Sequence, residues 1–262
     1  FRKDQQWYGD ILKYDLDPNG SILRTSASAH GKLTRALGLA RLERDAPYED
    51  GGRSIWTVGN DPNCPGGLLT KPSNNNNFIK ANHDQLENLL FNCEEYTGSS
   101  STNAMMLIRF VRGADVHAED YKGGEGWKRP RIGLLGDTFH SEMVFVGPPR
   151  AGYSPDVIGF GKSESYFRYL NGYAEFSMRN KSRRPQLYVG ANDGMLHAFD
   201  EDLNERWAFV PPSVLPKLRE MLGVVGLSAG DGKSNSVFNV DGPIAVKDIY
   251  IHATKEWKKV LV

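Results

Sequence analysis

The chain is poor in the features that mark several large protein classes. Its 262 residues include two cysteines, Cys64 and Cys93, too few to define a disulfide framework. Basic and acidic residues balance at 32 each, so no global field steers the chain toward nucleic acid or an anionic membrane. No apolar run approaches the roughly 18 residues of a membrane-spanning helix. The first residues, Phe1-Arg2-Lys3-Asp4, carry neither an initiator methionine nor the apolar stretch of a signal peptide. The last, Val260-Leu261-Val262, read as the inside of a strand. The expectation is a fragment cut at both ends.

Catalytic signatures are missing as well. The six histidines, His30, His83, His117, His140, His197 and His252, show no metal-ligand spacing, and the chain has no Gly-x-Ser-x-Gly elbow and no His-Glu-x-x-His helix. Gly161-Lys162-Ser163 and Gly232-Lys233-Ser234 look like the ends of phosphate-binding loops. The glycine such a loop needs five residues earlier is Asp156 in one and Leu227 in the other. His140 precedes Ser141, but adjacent strand residues point to opposite faces. That favours a hydrogen-bonded histidine over a nucleophile–base pair.

What the chain has is β pattern. Leu187 to Gly190 and Met195 to Asp200 are short apolar or aromatic runs, and Asn192-Asp193-Gly194 between them tolerates the positive φ of a hairpin turn. Glu201 to Glu205 is a polar connection, and Trp207-Ala208-Phe209-Val210 is a third strand, stopped by Pro211-Pro212. Three antiparallel strands amount to most of a propeller blade, which has four. Gly9 to Asp15 echoes Gly194 to Asp200 in its spacing of glycine, aliphatic and aromatic-Asp positions, and each copy runs into a polar turn.

The rest is mixed. A strand pair is expected around Trp7 to Leu16 and Ser21 to Leu23, an isolated strand at Ser54 to Val58, and a strand buried on both faces at Met143 to Val146. One helix is expected from His83 to Phe91, capped by Asn82, and another from Ser101 or Thr102 to Arg112, stopped by Gly113. Their Met and aromatic stripes have the spacing of a buried core. Ser163 to Asn180 is helical in period, and Pro212 to Leu222 is a short helix. Asp241 to Val246, Asp248 to His252 and Trp257 to Val262 are further strands.

Asp15-Leu16-Asp17-Pro18-Asn19-Gly20 satisfies the first half of a calcium loop, with oxygen ligands at alternate positions and glycine at the sixth. Position twelve is Ser26 rather than the bidentate glutamate. Asp15, Asp17 and Asn19 are therefore a calcium candidate with a plain hairpin turn as the alternative.

The run from Arg183 to Asp200, with Leu135-Gly136-Asp137, His140-Ser141, Val146-Gly147, Val240-Asp241-Gly242-Pro243 and Val260-Leu261-Val262, resembles the C-terminal β-propeller of the PilY/PilC family of type IV pilus biogenesis and tip-associated adhesin proteins. The resemblance covers nearly the whole chain, residues 26 to 80 least well. It implies a mainly β fold, part of a β-propeller with quinoprotein-like blades. Residues 1–262 would be a fragment of that one domain, and 26–130 a loop and α-helical insertion within it. It further implies a non-enzymatic, exported protein at the outer membrane or cell surface, associated with pili and in part periplasmic. Such a protein supports pilus extension and surface attachment, with pilins and minor pilins as partners and a host or surface ligand. The family's calcium loop falls in a blade beyond the last residue here, and Arg112-Gly113-Ala114-Asp115 is not an uninterrupted Arg-Gly-Asp. For an exported protein a Cys64–Cys93 disulfide is one reading and two unrelated thiols the other. Two other functions stay open: a quinone-cofactor dehydrogenase, since such propellers also place a Trp where Trp207 stands, and a structural module docking other envelope proteins. Contact loops are expected at 60–125 and 226–236.

Overall fold

The computed structural model describes residues 9–29, 31–32, 52–59, 77–91, 100–114, 134–155, 163–222 and 237–262. Within them the organising element is an antiparallel meander: β4 (Val144–Val146), β5 (Gln186–Ala191), β6 (Met195–Phe199) and β7 (Glu205–Val210). β5 and β6 form the expected hairpin, paired from Leu187↔Phe199 to Ala191↔Met195, and Gly194 takes the positive φ of 89° that the turn requires. Earlier in the chain, β1 (Leu12–Leu16) and β2 (Ile22–Ser28) make a separate hairpin, β2 running further than its sequence suggests. After the meander, β8 (Val246–Ile251) and β9 (Glu256–Leu261) make another. The third strand expected at Asp241 to Val246 is not formed. Its last residues instead extend the β8–β9 ladder through reciprocal bonds between Ala245 and Val262.

Period-two alternation sorts the meander's side chains onto two faces. Val189, Met195, Phe199, Ala208 and Val210 face one apolar cluster, and Tyr188, Ala198, Leu196 and Trp207 face the other. The first face is covered by helices α1 (His83–Leu90) and α2 (Ser100–Arg112) and by a 3₁₀ run, Pro212–Leu222. These bury Leu86, Leu90, Leu107, Ile108, Leu218 and Leu222 completely or nearly so. The second face meets Ile244, Val246 and Leu261 at the β8–β9 hairpin. Helices α3 (Glu164–Leu170) and α4 (Tyr173–Arg179) divide one helical period at Gly172, which has φ 69°. Their aromatic side packs on β8–β9, with Tyr173 4.9 Å from Trp257 between ring centres and Phe167 5.9 Å from Tyr250.

Three expectations are corrected. β3 (Ile55–Thr57) is not isolated: it pairs in parallel with β7 and becomes the fifth strand, in the order β3-β7-β6-β5-β4. β4 is not buried on both faces, because it is the opposite edge strand and leaves Phe145 64% exposed. Asn82 precedes α1 but does not cap it; its side-chain amide donates to the Asn77 carbonyl at 2.8 Å.

Candidate functional site

The Asn192-Asp193-Gly194 turn, which hairpin logic would place in solvent, is buried. Two segments close over it. The Asn192 amide donates to the Asp137 carbonyl at 2.8 Å, and its side-chain amide donates to the Asp137 carboxylate at 3.1 Å. Asn239, from the chain leading to β8, donates its backbone N–H to Asn192 Oδ1 at 3.0 Å and its side-chain Nδ2 to the Asn192 carbonyl at 3.1 Å. Asp193 Oδ2 accepts the Gly136 amide at 2.9 Å, and Oδ1 accepts Met195 N at 3.2 Å. Gly136 lies so close that a Cβ there would fall 2.3 Å from Asp193 N.

Beneath the turn, His197 is fully buried on the face it shares with Met195 and Phe199. Its Nε2 lies 3.1 Å from both Asp193 oxygens, and its Nδ1 lies 2.8 Å from Glu205 Oε1. Glu205 reaches this face because of a bulge in the β6–β7 ladder. Ala198 pairs with Trp207 but Phe199 pairs with Glu205, so one step on β6 spans two on β7. Without that extra residue, Glu205 would point to the same side as Trp207. Arg53, just before β3, completes the cluster with a two-pronged pair to Glu205, both bonds 2.7 Å. Arg112, at the end of α2, donates to the carbonyls of Arg53 at 2.9 Å and Phe78 at 3.0 Å.

Two cations thus oppose two carboxylates in a buried site. Burial disfavours an imidazolium, but the charges and hydrogen bonds of Asp193 and Glu205 outweigh it and push the His197 pKa up to about 9. Burial raises the Glu205 pKa, yet Arg53 and His197 outweigh that and hold its carboxyl well below the usual range. Arg53 is raised against the same opposition, chiefly by Glu205. Both ring nitrogens face carboxylates, so both carry hydrogens and donate. No lone pair is left to take up a proton, and the arrangement ties segments together instead of offering a base.

The residues singled out in the sequence lie elsewhere. Asp17 Oδ1 accepts the amides of Asn19 and Ser21, both at 2.8 Å, and closes the β1–β2 turn. Asp15 pairs with Arg24 at 2.7 Å, and that bond is the main cause of its lowered pKa. Among the described residues no group of three or more His, Cys, Asp or Glu could hold a metal. Cys64, Cys93, Gly161-Lys162, Gly232 to Ser234, Asp115 and the 226–236 loop lie outside the described residues, as does much of 60–125. His140 sits in a turn, not a strand, where Nδ1 lies 3.1 Å from Asp241 Oδ2, while Ser141 Oγ bonds the Val240 carbonyl at 3.4 Å. Trp207 packs between Trp56, at 5.9 Å, and Tyr188, at 5.7 Å between ring centres. The charge cluster was missed, although His197 stands four residues after Asp193 across the turn, a spacing that local inspection could have flagged.

β-propeller blades are four-stranded antiparallel sheets, and β4 to β7 are four neighbouring antiparallel strands. Residues 153–262 of the chain match the PilY1 beta-propeller domain family. Its similarity to curated relatives extends further. It is 36% identical over 167 residues to a type IV pilus biogenesis factor PilY1 homolog of Xylella fastidiosa, covering 63% of this chain and 12% of the relative. Against the type IV pilus biogenesis factor PilY1 of Pseudomonas aeruginosa it is 28% identical over 270 aligned positions, covering 100% of this chain and 19% of the relative. The chain therefore spans between about an eighth and a fifth of these relatives. No solved structure matches it.

Proposed function

We propose that this chain is a piece of the propeller of a type IV pilus biogenesis factor and pilus-associated adhesin. It supports pilus extension and surface attachment by binding, without catalysis, and residues 26–130 are an insertion within that one domain. The observation that carries the reading is the 28% identity to a type IV pilus biogenesis factor along the full length of the chain. The turn network supports the non-enzymatic part: its titratable groups are consumed in holding Gly136, Asn239, β3 and the hairpin together. On this reading the protein is exported and pilus-associated, and its partners are pilins and minor pilins, with a surface ligand beyond them. Among the described residues no helix is long and apolar enough to cross a membrane.

The test is a strain whose full-length gene lacks residues 183 to 262, with export and abundance checked by blot. Loss of surface pili with stable, exported protein assigns the segment to assembly. Persistence of pili with reduced attachment assigns it to adhesion. If both survive unchanged, the pilus reading is wrong for this segment. The calcium expectation for Asp15, Asp17 and Asn19 goes to calorimetry: no heat at millimolar calcium leaves these residues to the turn.

A further inference from the structure

Where the edge of the meander meets the next hairpin, there is an open cleft of about 350 Å³. β4 and the residues after it supply Val144, Val146 and Pro148, and β8 supplies Val246. Two cations enter this apolar lining, Arg150 and Lys259, and no acidic side chain lines it among the described residues. Lys259 is held in place: its ammonium lies 2.8 Å from Asp248 Oδ1, and Asp248 Oδ2 accepts the Tyr173 hydroxyl at 2.6 Å. Arg150 is exposed and has no partner among the described residues. With Asp248 counted against Lys259, the cleft carries one net positive charge.

β4 itself adds the second observation. It ends the strand order, so one side of its backbone is unpaired by any described strand, and Phe145 beside the cleft is 64% exposed, with Met143 at 58%. An open edge offers its N–H and C=O groups to another extended chain. We propose that the cleft and the open edge of β4 together bind an extended peptide bearing one carboxylate next to an apolar side chain. The peptide backbone adds to β4, the apolar side chain enters the Val-Pro lining, and the carboxylate meets Arg150 and Lys259. One net charge selects a monoanion, and Arg150 supplies the two-pronged geometry that a carboxylate fits. This goes beyond the pilus reading and does not depend on it.

The probe is N-acetyl-Thr-Val-Thr-Val with a free C-terminal carboxylate, titrated calorimetrically into the full-length protein alongside its C-terminal amide and 3-methylbutanoate. The acid peptide is expected to bind about tenfold or more tightly than the amide, the scale of one charge-assisted hydrogen-bonded pair. Arg150→Glu should abolish binding and Arg150→Lys restore part of it, all with unchanged thermal midpoints, since Arg150 holds none of the other described residues. Equal binding of acid and amide, or full binding by Arg150→Glu, overturns the proposal. If 3-methylbutanoate competes as tightly as the peptide, the strand edge contributes nothing and the peptide assignment falls.

Discussion

Gly136 and His197 show how much of the fold rests on single positions. A methyl group on Gly136 would sit 2.3 Å from Asp193 N and 2.9 Å from Asp193 Cβ, with backbone on both sides of the contact. Neither segment can yield without releasing the Asn192 and Asp193 hydrogen bonds. Gly136→Ala should therefore cost about 3 kcal/mol, the upper range for overpacking, read as a shift in denaturant midpoint with unchanged slope. His197→Gln is a separate test. Glutamine is nearly isosteric but uncharged, so it leaves Asp193 and Glu205 with Arg53 as the sole cation in the cluster described above. The expected cost is about 3 to 5 kcal/mol, because an uncompensated buried charge is worse than a missing contact. If His197→Gln unfolds at the parent midpoint, the imidazolium assignment is wrong.

At the scale of elements, the informative strand is β3. It joins β7 across about 150 residues of sequence, and its docking is fixed by Arg53 on Glu205 and by Thr57, whose hydroxyl donates to the Val210 carbonyl at 2.7 Å. Its other edge is closed by Asn77 and Phe78, so the meander's outer strand is not left as an open template. Arg53→Met should detach this edge before the rest. Hydrogen exchange is expected to show Ile55–Thr57 amides losing protection while β5 and β6 keep theirs; uniform loss would mean that β3 and the meander unfold as one unit. The same comparison shows what the sequence carries. β5, β6 and their turn were legible because Asn-Asp-Gly and alternating apolar residues are local signals, and α2 was legible from its apolar spacing and from Gly113 after Arg112. The β3–β7 pairing, the exposed side of β4 and the bulge that turns Glu205 inward were not. Each depends on partners far along the chain, and a two-residue period reads the same on an edge strand as on a central one.

For the whole molecule the charge cluster predicts how stability changes with pH. His197 is raised from about 6.5 unfolded to about 9 folded. A raised basic group contributes stability that is fully present below its unfolded pKa and lost as pH climbs through the folded one. Glu205 is depressed, so its contribution is present above the unfolded value near 4.5 and lost as pH falls below that. Both contributions are complete only between about pH 4.5 and 6.5. Above this window the unfolded chain releases the His197 proton first, and unfolding free energy should fall by up to about 1.4 kcal/mol per pH unit, about 3 kcal/mol in all by pH 9. Tyr173 continues the decline at higher pH. Burial, then its hydrogen bond to Asp248, push its hydroxyl up to about 12, so the folded state resists an ionisation that the unfolded chain undergoes from about pH 10. Denaturant titrations at half-unit steps from about pH 3 to about pH 11 test this directly. In His197→Gln the slope between 6.5 and 9 should disappear while the fall below 4.5 persists. A parent profile that is flat through pH 9 would show that His197 is neutral in the folded protein, and the cluster would then have to be held by Arg53 and Glu205 alone.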